Sequence, residues 1–373
     1  MRNNRRDFIT KSVLLGTGLA TMGGGASTVV ASVKKVNDFQ RIKDNTLGKF
    51  YKNIVFAIPD NTSPSGPLLQ KGIEIFNRVF KEKTGLSVLD SKVDALEIAL
   101  IVNPKSLPSE SFKIEYPGGS RVSIYAGDEN GILYGIGKLL HSSTLNANGF
   151  RPGSWEGSST PKKIYRAVYF ATHFYNFYHA APIEEVERYV EDLALWGYNT
   201  LTMWFDMHHY NGIKDAEAQQ MLDRLASLYK LAKSAGMKCY CAVLANEGYN
   251  SSPQNLRATK TGRSFYGVEI CPSIEQGAEL IVKQVKEEFS EYKRRGVVFD
   301  GISYGPYDQG GCGCDKCRPW GANGFVNISE RITNELHKEY PELEVILFTW
   351  LFDYGKDQGE WVGLAERFKK HSP

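Results

Sequence analysis

The sequence predicts an α/β protein: a small N-terminal α/β sandwich, then a (β/α)8 TIM-barrel-like domain of which about five βα units are present. Three observations carry this. From residue 53 onward, apolar runs of strand length alternate with amphipathic runs of helix length. Beyond residue 164 the alternation becomes regular, with one strand and one helix in roughly 40 residues, as parallel strands with crossover helices require. Between the two patterns lies Asn146 to Pro161, rich in Gly, Ser and Pro, the composition of a linker.

In chain order, Asn53 to Ile58 reads as a buried strand closed by the turn cluster Pro59 to Pro67. A helix follows, with Leu69, Ile73, Ile75, Phe76, Val79 and Phe80 near 3.6 spacing. Ala95 to Val102 is a second apolar strand, which makes a βαβ-like opening. Phe112 to Tyr116 and Val122 to Tyr125 alternate around Gly118-Gly119 and predict a hairpin. Gly127 to Gly131 is a turn, and Ile132 to Leu140 begins a helix. In the second region the predicted strands are Arg166 to Thr172, Thr200 to Phe205, Lys238 to Leu244, Gly301 to Tyr304 and Glu344 to Trp350. The predicted helices are Pro182 to Trp196, Ala216 to Ala235, Ile274 to Arg294, Asn327 to Tyr340 and Gly359 to Lys370. Completing an eight-unit barrel takes on the order of 100 further residues.

The N-terminus reads as an address. Arg5-Arg6 precedes a mildly apolar stretch, Ser12 to Ala31, and Val29-Val30-Ala31 offers a cleavage point, a pattern similar to a twin-arginine export signal. Removing residues 1–31 leaves 41 basic and 41 acidic residues, a neutral body. Neutrality argues against nucleic acid as partner, because phosphate binding needs a positive face. No later stretch has the roughly 18 apolar residues that span a bilayer. The expected organisation is an export signal over 1–31, a linker over 32–49, an α/β domain over 50–145, a linker over 146–163 and the barrel-like domain over 164–373. The expected location is periplasmic or extracellular.

In such a barrel the functional groups stand at the C-terminal ends of strands. Those positions here are His173 to Asn176, Trp204 to Asp206 with His208 and His209, Asn246 to Tyr249, Tyr304 to Asp308, and Trp350 to Tyr354. Each joins aromatic rings to polar or acidic groups. Carboxylates beside aromatic platforms are what glycosidic cleavage needs, to protonate the leaving oxygen and steady a cationic transition state. Adjacent residues project to different sides, which argues against a metal shared by His208 and His209. No Gly-x-Ser-x-Gly elbow, P-loop or dinucleotide glycine run stands at a strand end, so acyl-transfer and nucleotide chemistry lack support.

Six cysteines need a separate reading. Cys312, Cys314 and Cys317 crowd one loop after the fourth predicted strand, and Cys271 precedes a helix. These four suit a structural zinc, a disulfide in an oxidising compartment, or free thiols. Cys239 and Cys241 alternate along a strand, cannot bond each other, and read as core.

Two segments resemble a known group of enzymes. Val122-Ser-Ile-Tyr-Ala-Gly-Asp-Glu-Asn-Gly-Ile-Leu-Tyr-Gly-Ile-Gly-Lys-Leu-Leu140 resembles the end of the small domain ahead of the barrel in β-N-acetylhexosaminidases and α-glucuronidases. Tyr165-Arg166 and the helix-to-strand run Glu187 to Leu201 resemble the start of those barrels. The likeness spans about residues 50–370. The hexosaminidases carry an adjacent Asp-Glu pair after the fourth strand; here Tyr307-Asp308-Gln309 stands there, without the pair.

The resemblance implies a glycoside hydrolase-like protein acting on a polysaccharide or glycan side chain, with no cofactor required for catalysis. Asp308 is the first candidate acid, Glu247 the second carboxylate, and Asp206 and Asp353 supporting carboxylates. His173, Trp204, His208, Asn246, Tyr304 and Trp350 are expected to shape the sugar pocket. The competing expectation is a noncatalytic carbohydrate-binding protein or an inactive fragment. A third, a metal-dependent hydrolase, would place zinc in the cleft.

Overall fold

The computed structural model describes residues 47–59, 66–88, 93–172, 175–260, 266–307, 310–354 and 358–371. The predicted export signal and the segment after it, up to residue 46, lie outside these ranges, as do the candidate site residues His173 and Asp308.

The first half runs β1 (Asn53–Ala57), α1 (Pro67–Thr84), β2 (Ala95–Val102), β3 (Phe112–Glu115), β4 (Arg121–Ala126), α2 (Glu129–Ser142), β5 (Thr144–Asn146), β6 (Gly149–Arg151) and β7 (Gly157–Ser159). Its main sheet has the order β1-β2-β4-β3-β7. β1, β2 and β4 are parallel, Ile54 facing Leu96 and Ile98 facing Val122, while β3 returns antiparallel to β4 as the hairpin alternation predicts. The Gly/Ser/Pro-rich stretch contributes β7, paired antiparallel with β3, and β6, paired with β5. Strands of three residues are too short for alternation to reveal.

Two adjacent acids set the helices on this sheet. Asp128 caps α2 by accepting the Gly131 N–H at 2.8 Å. Glu129 reaches back to α1, whose Gly66 cap offers no side chain, and accepts the N–H groups of Gly66 and Leu69. Pro67 opens α1, and Gly85, in the left-handed region at φ 75°, closes it.

The second half runs β8 (Ala167–Phe170), α3 (Phe177–Ala180), α4 (Ile183–Leu195), β9 (Thr200–Trp204), α5 (Ala216–Ser234), β10 (Lys238–Leu244), α6 (Glu275–Arg294), β11 (Gly301–Gly305), α7 (Gly324–His337), β12 (Glu344–Leu347) and α8 (Glu360–His371). The five strands lie in chain order, β12-β11-β10-β9-β8, every pairing parallel. This is the sequential order of a (β/α)8 barrel wall, present in part. Every residue of β9 and β11 is buried, Thr200, Thr202 and Ser303 included, as in strands covered on both faces. β8 and β12 end earlier than their apolar runs suggest: each has a neighbour on one side only, and the chain turns over residues 350–353. The crossover helices bury one stripe each, as Leu222, Leu225, Ala226 and Tyr229 of α5 show. Each fully buried Leu or Phe contributes roughly 1.5–3 kcal/mol relative to exposure.

Two of the contacts that join the halves stand at Gly137 and Arg166. Gly137 of α2 lies against the Leu195 carbonyl of α4, where any Cβ would collide with backbone. At the start of β8, the Arg166 guanidinium meets Glu110 at 2.7 Å, and Glu110 also accepts from Tyr134 and Asn199.

Candidate functional site

Two strand ends converge, with a third beside them in the sheet. β9 delivers Trp204 and Asp206, and a single 3-10 turn, Met207–His209, follows. β10 delivers Asn246 and Glu247, and β11 delivers Tyr304 and Tyr307. The register places Trp204 beside Ala242 and Leu244 beside Gly305, so the strands end near one level.

Glu247 is the centre of this cluster. It is 4% exposed. Its Oε1 accepts the His208 backbone N–H at 3.1 Å and pairs with His208 Nδ1 at 2.8 Å. Its Oε2 accepts the Trp204 indole N–H at 2.9 Å. Burial pushes the Glu247 carboxyl well above the ordinary carboxylate range; the His208 and Trp204 donors oppose this, and the charges of Asp206 and Glu269 add to the rise. The His208 ring lies against Trp204 on one side, with centroids 5.7 Å apart, and against Tyr266 at 4.4 Å.

Beside it stands a second acid–imidazole pair. Buried Asp206 is hydrogen bonded to His209 Nδ1, while the His209 side chain keeps 45% of its surface exposed. The hydrogen bond to Asp206 raises the His209 pKa, against a smaller opposing effect of burial. The expectation that His208 and His209 point apart does not hold. The 3-10 turn replaces strand geometry, brings their rings to 4.1 Å, and sets ligand atoms of Asp206, His208 and His209 within 4.8 Å of one another.

The remaining expected site residues go elsewhere. Asn246 is fully buried: its Nδ2 donates to the carbonyls of Ile270 and Gly311, both at 2.9 Å, and its Oδ1 accepts the Gly311 N–H at 2.7 Å. It ties together the loops after β10 and β11. Tyr304 is buried with its hydroxyl 3.0 Å from Thr333 of α7. Asp353 accepts the N–H groups of Glu360 and Trp361 at the start of α8. Trp350, 62% exposed, stands in the turn after β12. Sequence reasoning did not select His209, Tyr266 or Glu269 as site residues. His209 had its neighbour as a signal; Tyr266 and Glu269 come from a loop whose path no periodicity predicts.

The cysteines form a second constellation. All six thiols are free. Cys239 and Cys241 are buried in β10, as expected of core residues. The sulfurs of Cys271, Cys312, Cys314 and Cys317 lie within 4.8 Å of one another, a set that can hold a metal ion. Donors from Cys312 and Cys317 hold the Cys271 thiol well below its ordinary range. No helix among the described residues is long and apolar enough to cross a membrane.

In sequence the chain matches no family model and no curated protein. In structure it is similar to a mutant Streptomyces plicatus β-hexosaminidase in complex with its product GlcNAc, with a TM-score of 0.58 at 15% identity, over 85% of this chain and 68% of that one. It is similar to the GH20 β-N-acetylhexosaminidase from Streptomyces coelicolor, with a TM-score of 0.57 at 15% identity, over 85% and 69% of the two chains. The β-N-acetylhexosaminidase from Bacteroides fragilis follows with 0.54 at 11% identity, over 87% and 70%. At these identities the likeness is one of fold. It bears out the expected architecture, an α/β sheet followed by part of a (β/α)8 barrel, and the expected structural resemblance to β-N-acetylhexosaminidases.

Proposed function

We propose that this chain is a glycoside hydrolase-like protein that cleaves O-glycosidic bonds in polysaccharides or glycan side chains. One observation carries the reading. Glu247, held by Trp204 and His208, meets the Asp206–His209 pair at the C-terminal ends of β9 and β10, where barrel enzymes place their chemistry. A buried carboxyl whose pKa is raised, beside a second acid, suits the two-carboxylate chemistry of glycoside cleavage. The fold likeness to hexosaminidases supports an N-acetylhexosamine at this site. In this reading Asp308, in the loop after β11, is the first acid and Glu247 the second carboxylate. His173 and the Trp204–His208–Tyr266 stack would shape the sugar pocket.

The proposal includes residence outside the cytoplasm, supported by the Arg5-Arg6 leader. It also keeps the division into a small α/β domain, whose main sheet extends to β7, and a barrel-like domain after it.

The test is turnover of 4-nitrophenyl glycosides of N-acetylhexosamines and uronic acids, with calorimetric binding of the free sugars. Turnover abolished by Asp308→Asn supports the enzyme. Sugar binding with no turnover on any glycoside would make the chain a carbohydrate-binding protein instead.

A further inference from the structure

We propose that Cys271, Cys312, Cys314 and Cys317 form a tetrathiolate zinc site that locks the loop after β10 to the loop after β11. The geometry comes first. Cys271 Sγ lies 3.6 Å from Cys312 Sγ and 3.8 Å from Cys314 Sγ, and all four sulfurs fall within 4.8 Å of one another. Four sulfurs at the usual zinc–sulfur length of about 2.3 Å, arranged tetrahedrally, stand about 3.8 Å apart. A disulfide needs its two sulfurs at about 2.05 Å. The sulfur–sulfur distances of 3.6 and 3.8 Å match the tetrahedral spacing and not the disulfide length.

The surroundings are built for such a centre. Cys312, Cys317 and Cys271 are buried, and Cys314 is partly exposed at the rim. The Ser273 hydroxyl lies 3.0 Å from Cys271 Sγ and 3.4 Å from Cys314 Sγ, a donor placed to support charged sulfur. Between Cys312 and Cys314 the chain passes so close to its neighbour that a Cβ on Gly313 would sit 2.6 Å from the Lys260 carbonyl oxygen. The Gly313 N–H donates to Thr259 there, at 2.8 Å. After Cys314 the backbone turns, the N–H groups of Cys317 and Arg318 both donating to the Cys314 carbonyl. These backbone contacts aim thiols from two distant segments at one point.

Zinc fits the donor set. Four soft thiolates in a closed tetrahedron suit it, and a site with no open position is structural rather than catalytic. What it would hold is specific. Asn246 bonds Gly311 and Ile270, the residues immediately before Cys312 and Cys271. The metal and the Asn246 amide thus clamp the same two loops from adjacent positions, one step from Glu247. The site stands whether or not the chain hydrolyses glycosides.

The experiment uses the full chain. Metal is measured by elemental analysis as purified and after incubation with zinc followed by desalting, and cobalt is substituted as a spectroscopic probe. The expected result is one equivalent of zinc, thiolate-to-cobalt charge-transfer bands with tetrahedral ligand-field absorption, and a fall in Tm on chelation. Cys314→Ser, at the partly exposed position, loses the tetrathiolate cobalt spectrum and binds zinc at least a hundred-fold more weakly, with the far-UV circular dichroism of the parent. If that variant does not fold, the wild-type cobalt spectrum decides alone. Peptide mapping that finds a disulfide among the four, iron in place of zinc, or no metal retained after zinc loading would overturn the proposal.

Discussion

Glu247 and His208 are joined twice: the carboxyl Oε1 accepts the His208 backbone N–H at 3.1 Å and meets the same residue's Nδ1 at 2.8 Å. The double contact fixes the 3-10 turn after β9 against the end of β10. The Nδ1 contact, with the ring packed against Trp204 and Tyr266, orients the imidazole.

Glu247→Ala should therefore destabilise the protein by about 3 kcal/mol, because the Trp204 and His208 donors lose their buried acceptor. Glu247→Gln keeps the shape and the Oε1 acceptor but turns its amide NH2 toward the Trp204 indole N–H, at a cost of about 1–3 kcal/mol. Under the proposed function it should also lower glycoside turnover about a hundred-fold or more in the folded protein. Because burial raises the Glu247 pKa, its stabilising contribution is complete below the unfolded value, about 4.3, and is lost as pH rises through the folded value. Glu247→Gln should flatten that part of the stability–pH curve. Unchanged turnover in a folded Glu247→Gln protein would remove Glu247 from the chemistry.

The Asp206–His209 pair makes a separate pH prediction. The His209 pKa is raised, so the pair's stabilisation is present below the unfolded imidazole value of about 6.5 and is lost as pH rises through the folded value. NMR titration of the His209 ring should give a midpoint above 6.5, and Asp206→Asn should bring it down. A midpoint unmoved by Asp206→Asn contradicts the assignment.

Asn246 can be tested as a clamp. Asn246→Ala leaves the Gly311 N–H and two carbonyls without their partner in a buried setting, at a cost of about 3 kcal/mol. Hydrogen exchange at Ile270 and Gly311 should accelerate with it. A sugar-contact role alone predicts weaker binding with unchanged exchange.

Gly137→Ala probes the joint between the halves. Its Cβ would collide with the Leu195 carbonyl, and backbone can only yield by moving α2 away from α4. A loss of about 3 kcal/mol in denaturant unfolding is expected. A loss below about 0.5 kcal/mol would mean the helices part easily.

Much of the fold is legible in local pattern. β10 coincides with its apolar run, and α4, α5, α6 and α8 fall within a residue or so of their periodic stretches. Burial of one helix stripe or of a whole strand is written in nearby residues. β6 and β7 escape this reading, because a three-residue strand is decided by the partner it finds, Tyr51 and β5 for one and β3 for the other.

The chain by itself determined which residues could stand at strand ends and which four cysteines could share one centre. Tertiary structure decided what each does with its polar atoms. Asp353 and Asp206 read alike in sequence; one caps α8 and the other pairs with His209. Asn246 and Glu247 are neighbours, yet one clamps backbone while the other holds an imidazole and an indole. Hydrophobic period is a property of a few consecutive residues. A hydrogen-bond partner, or the spacing of two sulfurs from segments 41 residues apart, depends on loop paths and strand register that only the folded chain sets.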